Sequence, residues 1–428
     1  MQFSRIEEIA DIIDSLHKTP RYSSTGHPMV RVVDVKYGSL TLKDTRKVDD
    51  QVFLEFSRRF TPEINDIVIT RVGSYGISAL VKDTHFCLGQ NTAALKPRVN
   101  KRFFYFALNS PFVKAQIEYS TVGSTQKTLS LKAIGNLEIP RLGEKDEQLT
   151  ATFLGSLDDK IELNRQMNTV LEGMARAVFV DWFVDFGPTR RKMAGEADPV
   201  KILGGAICPE AQAQKTAALF PDRLGQNGLP EGWEEKPFSD LVHIIGGGTP
   251  KTKNAEYWNG DIPWFSVVDT PSGSDTFVFG TQKQITQAGL ENSSAKLIEA
   301  GTTIISARGT VGNLAIAGES MTFNQSCYAL KGKNQIGKAF TYLGAQRLVQ
   351  DFQRMAHGAV FSTITRSTFA GVEFAFPPGG LCDDFEELML PLFAKIKANV
   401  EENQTLAEMR DLLLPKLMSG EIRLREAE

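Results

Sequence analysis

Arginine, lysine, glutamine, serine and threonine gather in this 428-residue chain where glycine interrupts β-rich runs. Such side chains donate to base edges or phosphate oxygens, and glycine lets a turn bring its backbone close to a ligand. In the first half the candidates are Lys18 and Arg21 in HKTPRYSSTGHP, Arg71, Ser74 and Tyr75 in RVGSYG, and Lys96 in the basic run KPRVNKR. Ser124, Gln126 and Lys127 join them from TVGSTQKTLS. In the second half they are Lys251 and Lys253 after GGGTP, then Arg308, Thr310, Lys331, Ser362 and Arg366. One such residue is an ordinary solvated side chain. Loops of like composition at like places in two halves point to a polyanion, with DNA the best fit.

Motifs for catalysis are missing. The chain has no glycine fingerprint of a dinucleotide or cofactor fold, no H-E-x-x-H, no G-x-S-x-G and no Asn-Pro-Pro-aromatic segment. Gly246–Gly248 precede Lys251-Thr252, but Pro250 stands where a phosphate-binding loop needs glycine, so this is a turn. His17, His27, His85, His243 and His357 never fall at ligand spacing. Cys87, Cys208, Cys327 and Cys382 are scattered, which indicates neither zinc nor disulfides. No catalytic residue, metal or cofactor is expected in this chain.

The elements that must position these loops repeat. Leu157, Lys160, Ile161, Asn164, Asn168, Leu171 and Met174 recur 235 positions later as Leu392, Lys395, Ile396, Asn399, Asn403, Leu406 and Met409. Alternate steps of three and four trace an apolar seam through Leu157, Ile161, Leu171 and their counterparts Leu392, Ile396 and Leu406, broken only by the paired asparagines in the first copy. A buried Asn in such a seam fixes register, because out of register its amide loses its partner. Two long helices packed on each other are expected, each spanning roughly 50 Å at ~1.5 Å per residue. The globular part repeats too: Pro28, Val32, Val33 and Asp34 match Pro263, Val267, Val268 and Asp269, and Gln90 matches Gln325. Gly73 and Gly76 match Gly309 and Gly312 after a one-residue slip. The glutamines and aspartates shared in this way are expected to hold the domain together rather than to discriminate bases.

The pattern gives an α+β class with two similar mixed domains and internal twofold pseudosymmetry. Expected boundaries are 1–145 and 229–378 for the domains, 146–185 and 379–428 for the helices, and 186–228 for a Gly/Pro/Ala-rich connector with one short helix. Locally, 1–16 reads as an amphipathic helix, while 28–34 and 66–72 read as strands. Net charge is −3, but 1–145 carries 21 Lys and Arg against 15 Asp and Glu, while 379–428 carries 6 against 11. A basic domain on an acidic frame suits DNA contact. No apolar run approaches a membrane span and no signal peptide opens the chain, so a cytoplasmic setting is expected.

Taken together, LPEGW (229–233), GGGTPKTKNAEYWNGDIPWFSVVD (246–269), the TVGSTQKTLS loop, DDKIELNRQMNTVLEGMARAVFVDWFVDF and MRDLLLPKLMSGEI (409–422) resemble the specificity subunit of type I restriction–modification systems over essentially the full length. The first half departs from it by lacking the LPEGW and triple-glycine opening. The resemblance implies two target-recognition domains, each reading one half of a split asymmetric site on double-stranded DNA. It implies that the long helices pack antiparallel as a spacer and dock two modification (methyltransferase) subunits, with restriction (translocase and endonuclease) subunits joining them. S-adenosylmethionine, ATP and magnesium would then sit on those partners, and no membrane is involved. The rival readings are a recognition subunit of a related defence complex and a duplicated protein-interaction scaffold.

Overall fold

The 235-residue repeat is a repeat of elements, strand for strand. The structure, a computed structural model, describes residues 2–121, 127–205, 209–271, 273, 275–355 and 363–425, with backbone alone at 353–355. It divides into a first unit, 1–161 with 404–428, and a second unit, 162–403.

In the first unit a five-stranded sheet has the order Ala10–Asp14, Thr92–Pro97, Ile67–Thr70, Ser78–Leu80, Gly38–Ser39. The second unit repeats that order as Val242–Gly246, Cys327–Gly332, Thr303–Ser306, Leu314–Ala317, Phe277–Val278. A three-stranded sheet accompanies each: Arg46–Val48, His27–Val30, Cys87–Leu88 in the first, and Gln284–Ile285, Trp258–Phe265, Thr322–Phe323 in the second. Gln2–Arg5 pairs antiparallel with Glu138–Arg141, as Glu234–Pro237 does with Glu373–Phe376. Strands such as Ile67–Thr70 are buried at every residue, so they read as unbroken apolar runs rather than as alternation.

Three local expectations are corrected. Residues 1–16 form a strand (Gln2–Arg5), one helical turn (Ile6–Ile9) and a second strand (Ala10–Asp14). Partners about 80 or more residues away, Glu138–Arg141 and Thr92–Pro97, override the helical spacing of the isoleucines. The run 28–34 is a strand only to Val30; Val32–Asp34 is a 3-10 turn, because the Asp34 carboxylate accepts the Arg31 N–H at 2.8 Å. The connector holds three helices, Gly187–Met193, Pro199–Ile202 and Glu210–Leu219. Ile202, Leu203, Ala213, Ala217 and Phe220 are buried in the core of the second unit, so this segment is part of a domain.

Long helices run over Glu144–Phe183 and Leu381–Met418. The second passes through Pro391 and Pro415, which the seam pattern gave no reason to tolerate; each removes a helix donor at a cost of about 3 kcal/mol. Burial of Leu381, Phe385, Met389, Ile396 and Val400 offsets this within the second unit.

The asparagines are buried and paired. Within the second unit Asn164 Nδ2 donates to Asn403 Oδ1 at 3.0 Å, and Asn399 Nδ2 donates to Asn168 Oδ1 at 2.8 Å. Crossed pairing of this kind requires antiparallel helices. Trp182 against Phe385, at 5.7 Å between rings, keeps the same register. Ile396 is fully buried, whereas Leu171 and Leu392 are partly buried against the core. Within the first unit Leu157 and Ile161 are buried, Leu406 is half-buried, and Arg410 donates to Asp158 at 2.8 Å.

Candidate nucleic-acid interface

In each unit the ends of four segments meet at one end of the five-stranded sheet. In the first these are the exit of Ala10–Asp14, the turn before Thr92, the hairpin joining Ile67–Thr70 to Ser78–Leu80, and the segment around Leu129. Backbone bonds tie them: Arg71 N–H to Asn91 O at 2.9 Å, Gly76 N–H to Thr70 O at 2.8 Å, and Leu129 N–H to Arg71 O at 2.8 Å. The second unit repeats all three: Ala307 N–H to Ser326 O at 2.7 Å, Gly312 N–H to Ser306 O at 2.9 Å, and Ile364 N–H to Ala307 O at 2.9 Å. Both hairpins turn on glycines at positive φ, Gly73 and Gly76 in one and Gly309 and Gly312 in the other. Side chains at those four positions would be strained, so the tips stay narrow.

The candidate residues divide on this frame. Ser74 and Lys127 are exposed beside the first hairpin, with Tyr75 half-buried between them. The Tyr75 hydroxyl donates to Glu118 at 2.9 Å, and Lys127 Nζ donates to that hydroxyl at 3.2 Å. The hydrogen bond to Tyr75 and the Glu118 charge raise the Lys127 pKa, so the amine stays cationic. Lys18 and Arg21 are exposed on the stretch leaving the first strand, although Lys18 donates to both Glu55 carboxylate oxygens, at 2.8 and 3.0 Å. In the second unit Arg308 and Thr310 are exposed on the hairpin tip. Lys251 and Lys253 are exposed after the glycines, and Arg366 opens the helix Arg366–Ala370. Ser124, Gln126 and Ser362 lie outside the described residues.

Three candidates sit elsewhere. Arg71 points inward: it pairs with Asp14, and its Nε donates to Leu129 O at 3.3 Å, leaving 11% of the side chain exposed. Asp14 also meets His17 Nε2 at 2.8 Å, so a hydrogen-bonded network lies under the first unit's loops. The equivalent positions in the second unit are Ala307 and Gly246, which have no such network. Lys96 and Lys331 lie near the opposite end of the same strands, about 13 Å from the hairpin end at ~3.3 Å per residue. Lys96 donates to Glu63 at 2.8 Å, and Lys331 pairs with Glu299 at 2.7 Å. The rest of the basic run is likewise neutralised, with Arg98 on Asp11, Lys101 on Asp66 and Arg102 on Asp159.

Two exposed pairs at the sheet end were not singled out as readers from sequence. Gln90 and Gln325, expected to hold the domain together, are exposed beside the hairpins. Val33 and Val268 are 67% and 69% exposed on the 3-10 turns. Their signal in the sequence was recurrence at the 235-residue period. The aspartates of the same motif do hold structure, as Asp34 and Asp269 cap those turns.

Among the described residues no group of His, Cys, Asp and Glu could hold a metal, and no helix is long and apolar enough to cross a membrane. Cys87, Cys327 and Cys382 are buried, and burial pushes each thiol up to about 12, where a thiolate nucleophile is not available.

The comparisons with known proteins agree with this architecture. The chain is 29% identical over 327 residues to the type I restriction enzyme HindI specificity subunit of Haemophilus influenzae, covering 69% of this chain and 71% of that one. It is 24% identical to the MjaIX specificity subunit of Methanocaldococcus jannaschii, covering 89% and 83%. The solved S subunit of a type I system from M. genitalium shares the fold, with a TM-score of 0.53 at 16% identity over 97% of this chain and 95% of that one. The sequence description of the type I restriction modification DNA specificity domain matches residues 1–173 and again 230–380, one match for each copy of the repeat, and this chain belongs to that family.

Proposed function

We propose that this chain is the DNA-recognition subunit of a type I restriction–modification complex, and that each unit reads one half of a bipartite, asymmetric site. The observation that carries this reading is the hydrogen-bonded frame, identical in both units, that holds loops of different sequence at the same end of the same sheet. A shared frame supplies a shared approach to the duplex, and different loops supply different half-sites. A symmetric dimer would read a palindrome. The long helices, which continue along the chain from one unit into the other, set the gap between half-sites and dock the modification subunits. Methyl transfer and ATP-driven cleavage, with their S-adenosylmethionine, ATP and magnesium, belong to partner subunits.

The test is selection of bound fragments from a random DNA library by the complex containing this chain. Two unlike sequence blocks separated by a fixed gap are expected, with affinity that falls as salt rises. Lengthening both long helices by four residues should change the preferred gap. A single continuous block, or a gap indifferent to helix length, overturns the reading.

A further inference from the structure

Among the described residues, the two units differ at nearly every loop position that could read a base, yet they keep one exposed pair in common. In the first unit Gly89 N–H donates to Val30 O at 2.7 Å, and in the second Asn324 N–H donates to Phe265 O at 2.9 Å. This is one hydrogen bond at equivalent positions. One residue after its donor stands an exposed glutamine, Gln90 or Gln325, and three residues after its acceptor stands an exposed valine, Val33 or Val268.

Neither residue closes the turn that carries it. The 3-10 turn is closed by the aspartate, whose carboxylate accepts the Arg31 N–H in one unit and the Ser266 N–H in the other, each at 2.8 Å. The valine packs little and leaves two-thirds of its surface in water. Apart from Val32 and Asp34, which recur as Val267 and Asp269, neighbours have diverged around the pair: Arg31 stands against Ser266, and Asn91 against Ser326. In the second unit the turn abuts the hairpin, since a Cβ on Gly309 would lie 4.0 Å from Val267 Cγ1. The valine and glutamine thus stand on rigid backbone at the end of the sheet where the candidate contacts gather. There the Gln325 amide oxygen also accepts the Thr249 hydroxyl, which orients the amide and leaves a lone pair free.

An amide and an apolar branched side chain, presented from two segments joined by one backbone bond, match one base pair in the major groove. Glutamine bonds the N6 amino group and N7 of adenine together, and an apolar side chain packs on the 5-methyl of thymine. We propose that Gln90 with Val33, and Gln325 with Val268, each read an A·T pair, so that the two half-sites share an A·T pair at corresponding positions and differ around it. This rests on the reading of the chain as a DNA-recognition subunit.

The test uses the complex containing the full chain and its selected DNA site, with analogues placed one position at a time. Replacing one adenine in each half-site by 7-deazaadenine should weaken binding about 5- to 150-fold, the cost of leaving the glutamine amide donor without its N7 acceptor. Replacing its thymine by uracil should weaken binding about fourfold, as expected for one methyl group. Gln90→Ala should abolish the 7-deazaadenine response in the first half-site alone, and Val33→Ala the uracil response there. Gln325→Ala and Val268→Ala should do the same in the second half-site. Analogue responses that map to different pairs, or that persist in the variants, overturn the proposal. So does loss of partner subunits from the valine variants with analogue responses intact, which would assign the valines to a protein contact. A complex that binds its site no better than a scrambled duplex shows that the recognition reading has failed, before the A·T assignment is reached.

Discussion

The first and second units have one topology and close it with different chemistry. In the first, charge is carried inside: Arg71 on Asp14, Lys101 on the fully buried Asp66, Arg141 on the buried Glu147, and Arg410 on Asp158. The second unit also buries Asp384 on Lys215, but its long-helix segments are packed chiefly by aromatic rings. Phe179, Trp182, Phe183, Phe340 and Phe385 pack edge to face around the long-helix segments, and Trp233 and Phe220 continue the cluster. At equivalent places the Asp158–Arg410 pair stands where the second unit has Phe393 and Ala175, and Thr150 stands where it has Phe385. Common to both are the strand order and the backbone bonds at the loop end. Backbone hydrogen bonds are indifferent to side-chain identity, so a duplicated fold survives divergence of everything else.

The largest expected effect breaks the aromatic side of this contrast. Phe385→Ala removes a fully buried ring touching four others and should cost about 3–5 kcal/mol, read as a lowered denaturation midpoint of the second unit. Thr150→Ala, at the equivalent place, should cost about 1 kcal/mol or less, because little apolar contact is lost. Equal costs would mean that the two units are not stabilised differently.

Next is Arg71. Its removal leaves Asp14 with His17 alone and should destabilise the first unit by about 2–3 kcal/mol, less than the 3–5 of a fully buried pair. Recognition of the first half-site should loosen at every position, because the network underlies several loops. Arg308→Ala in the second unit should instead leave stability within about 0.5 kcal/mol and relax one base position by ~1–3 kcal/mol. Thermal unfolding together with selected binding motifs separates the two. A single relaxed position in Arg71→Ala would restore Arg71 as a base reader.

Asn168→Ala leaves the buried Asn399 amide without its acceptor and should cost about 1–2 kcal/mol in urea unfolding. The smallest effect is on the first unit's surface. Hydrogen bonds from Lys96 and Lys101 hold the Glu63 carboxyl at about 2, well below its ordinary range. Its folded-state pKa is depressed, so its contribution is complete above the ordinary carboxylate range and is lost as pH falls toward about 2. Glu63→Gln should therefore narrow the difference in melting temperature between neutral and acidic buffer slightly.

Much of the architecture was legible because the chain states it twice. Two copies of Leu157, Ile161, Asn164 and Asn168 at a fixed offset mark a helix and a partner with the same face, and the crossed amides follow from that pattern. The short strands were harder to read. The isoleucines of 6–13 satisfy helical spacing, and only partners such as Thr92–Pro97 make the segment extended. The connector hid its helices behind glycine and proline, although its Trp-, Phe- and Leu-rich neighbours needed Ile202 and Phe220 to complete their core. Among candidate contacts, exposed lysines and arginines looked alike in the sequence. Which of them are neutralised depended on acidic residues such as Asp14, Glu63 and Glu299, at 57, 33 and 32 positions' remove.

The sequence alone determined the duplication, the helix seam, the lack of catalytic motifs and the family, because each is a matter of residue order. Tertiary structure alone decided which cations are free and which shared residues face out. Arg71 turns inward and Gln90 outward because the sheet brings Asp14 to one and, among the described residues, no such partner to the other. An ion pair between distant residues forms only once long-range pairing has put its partners within reach.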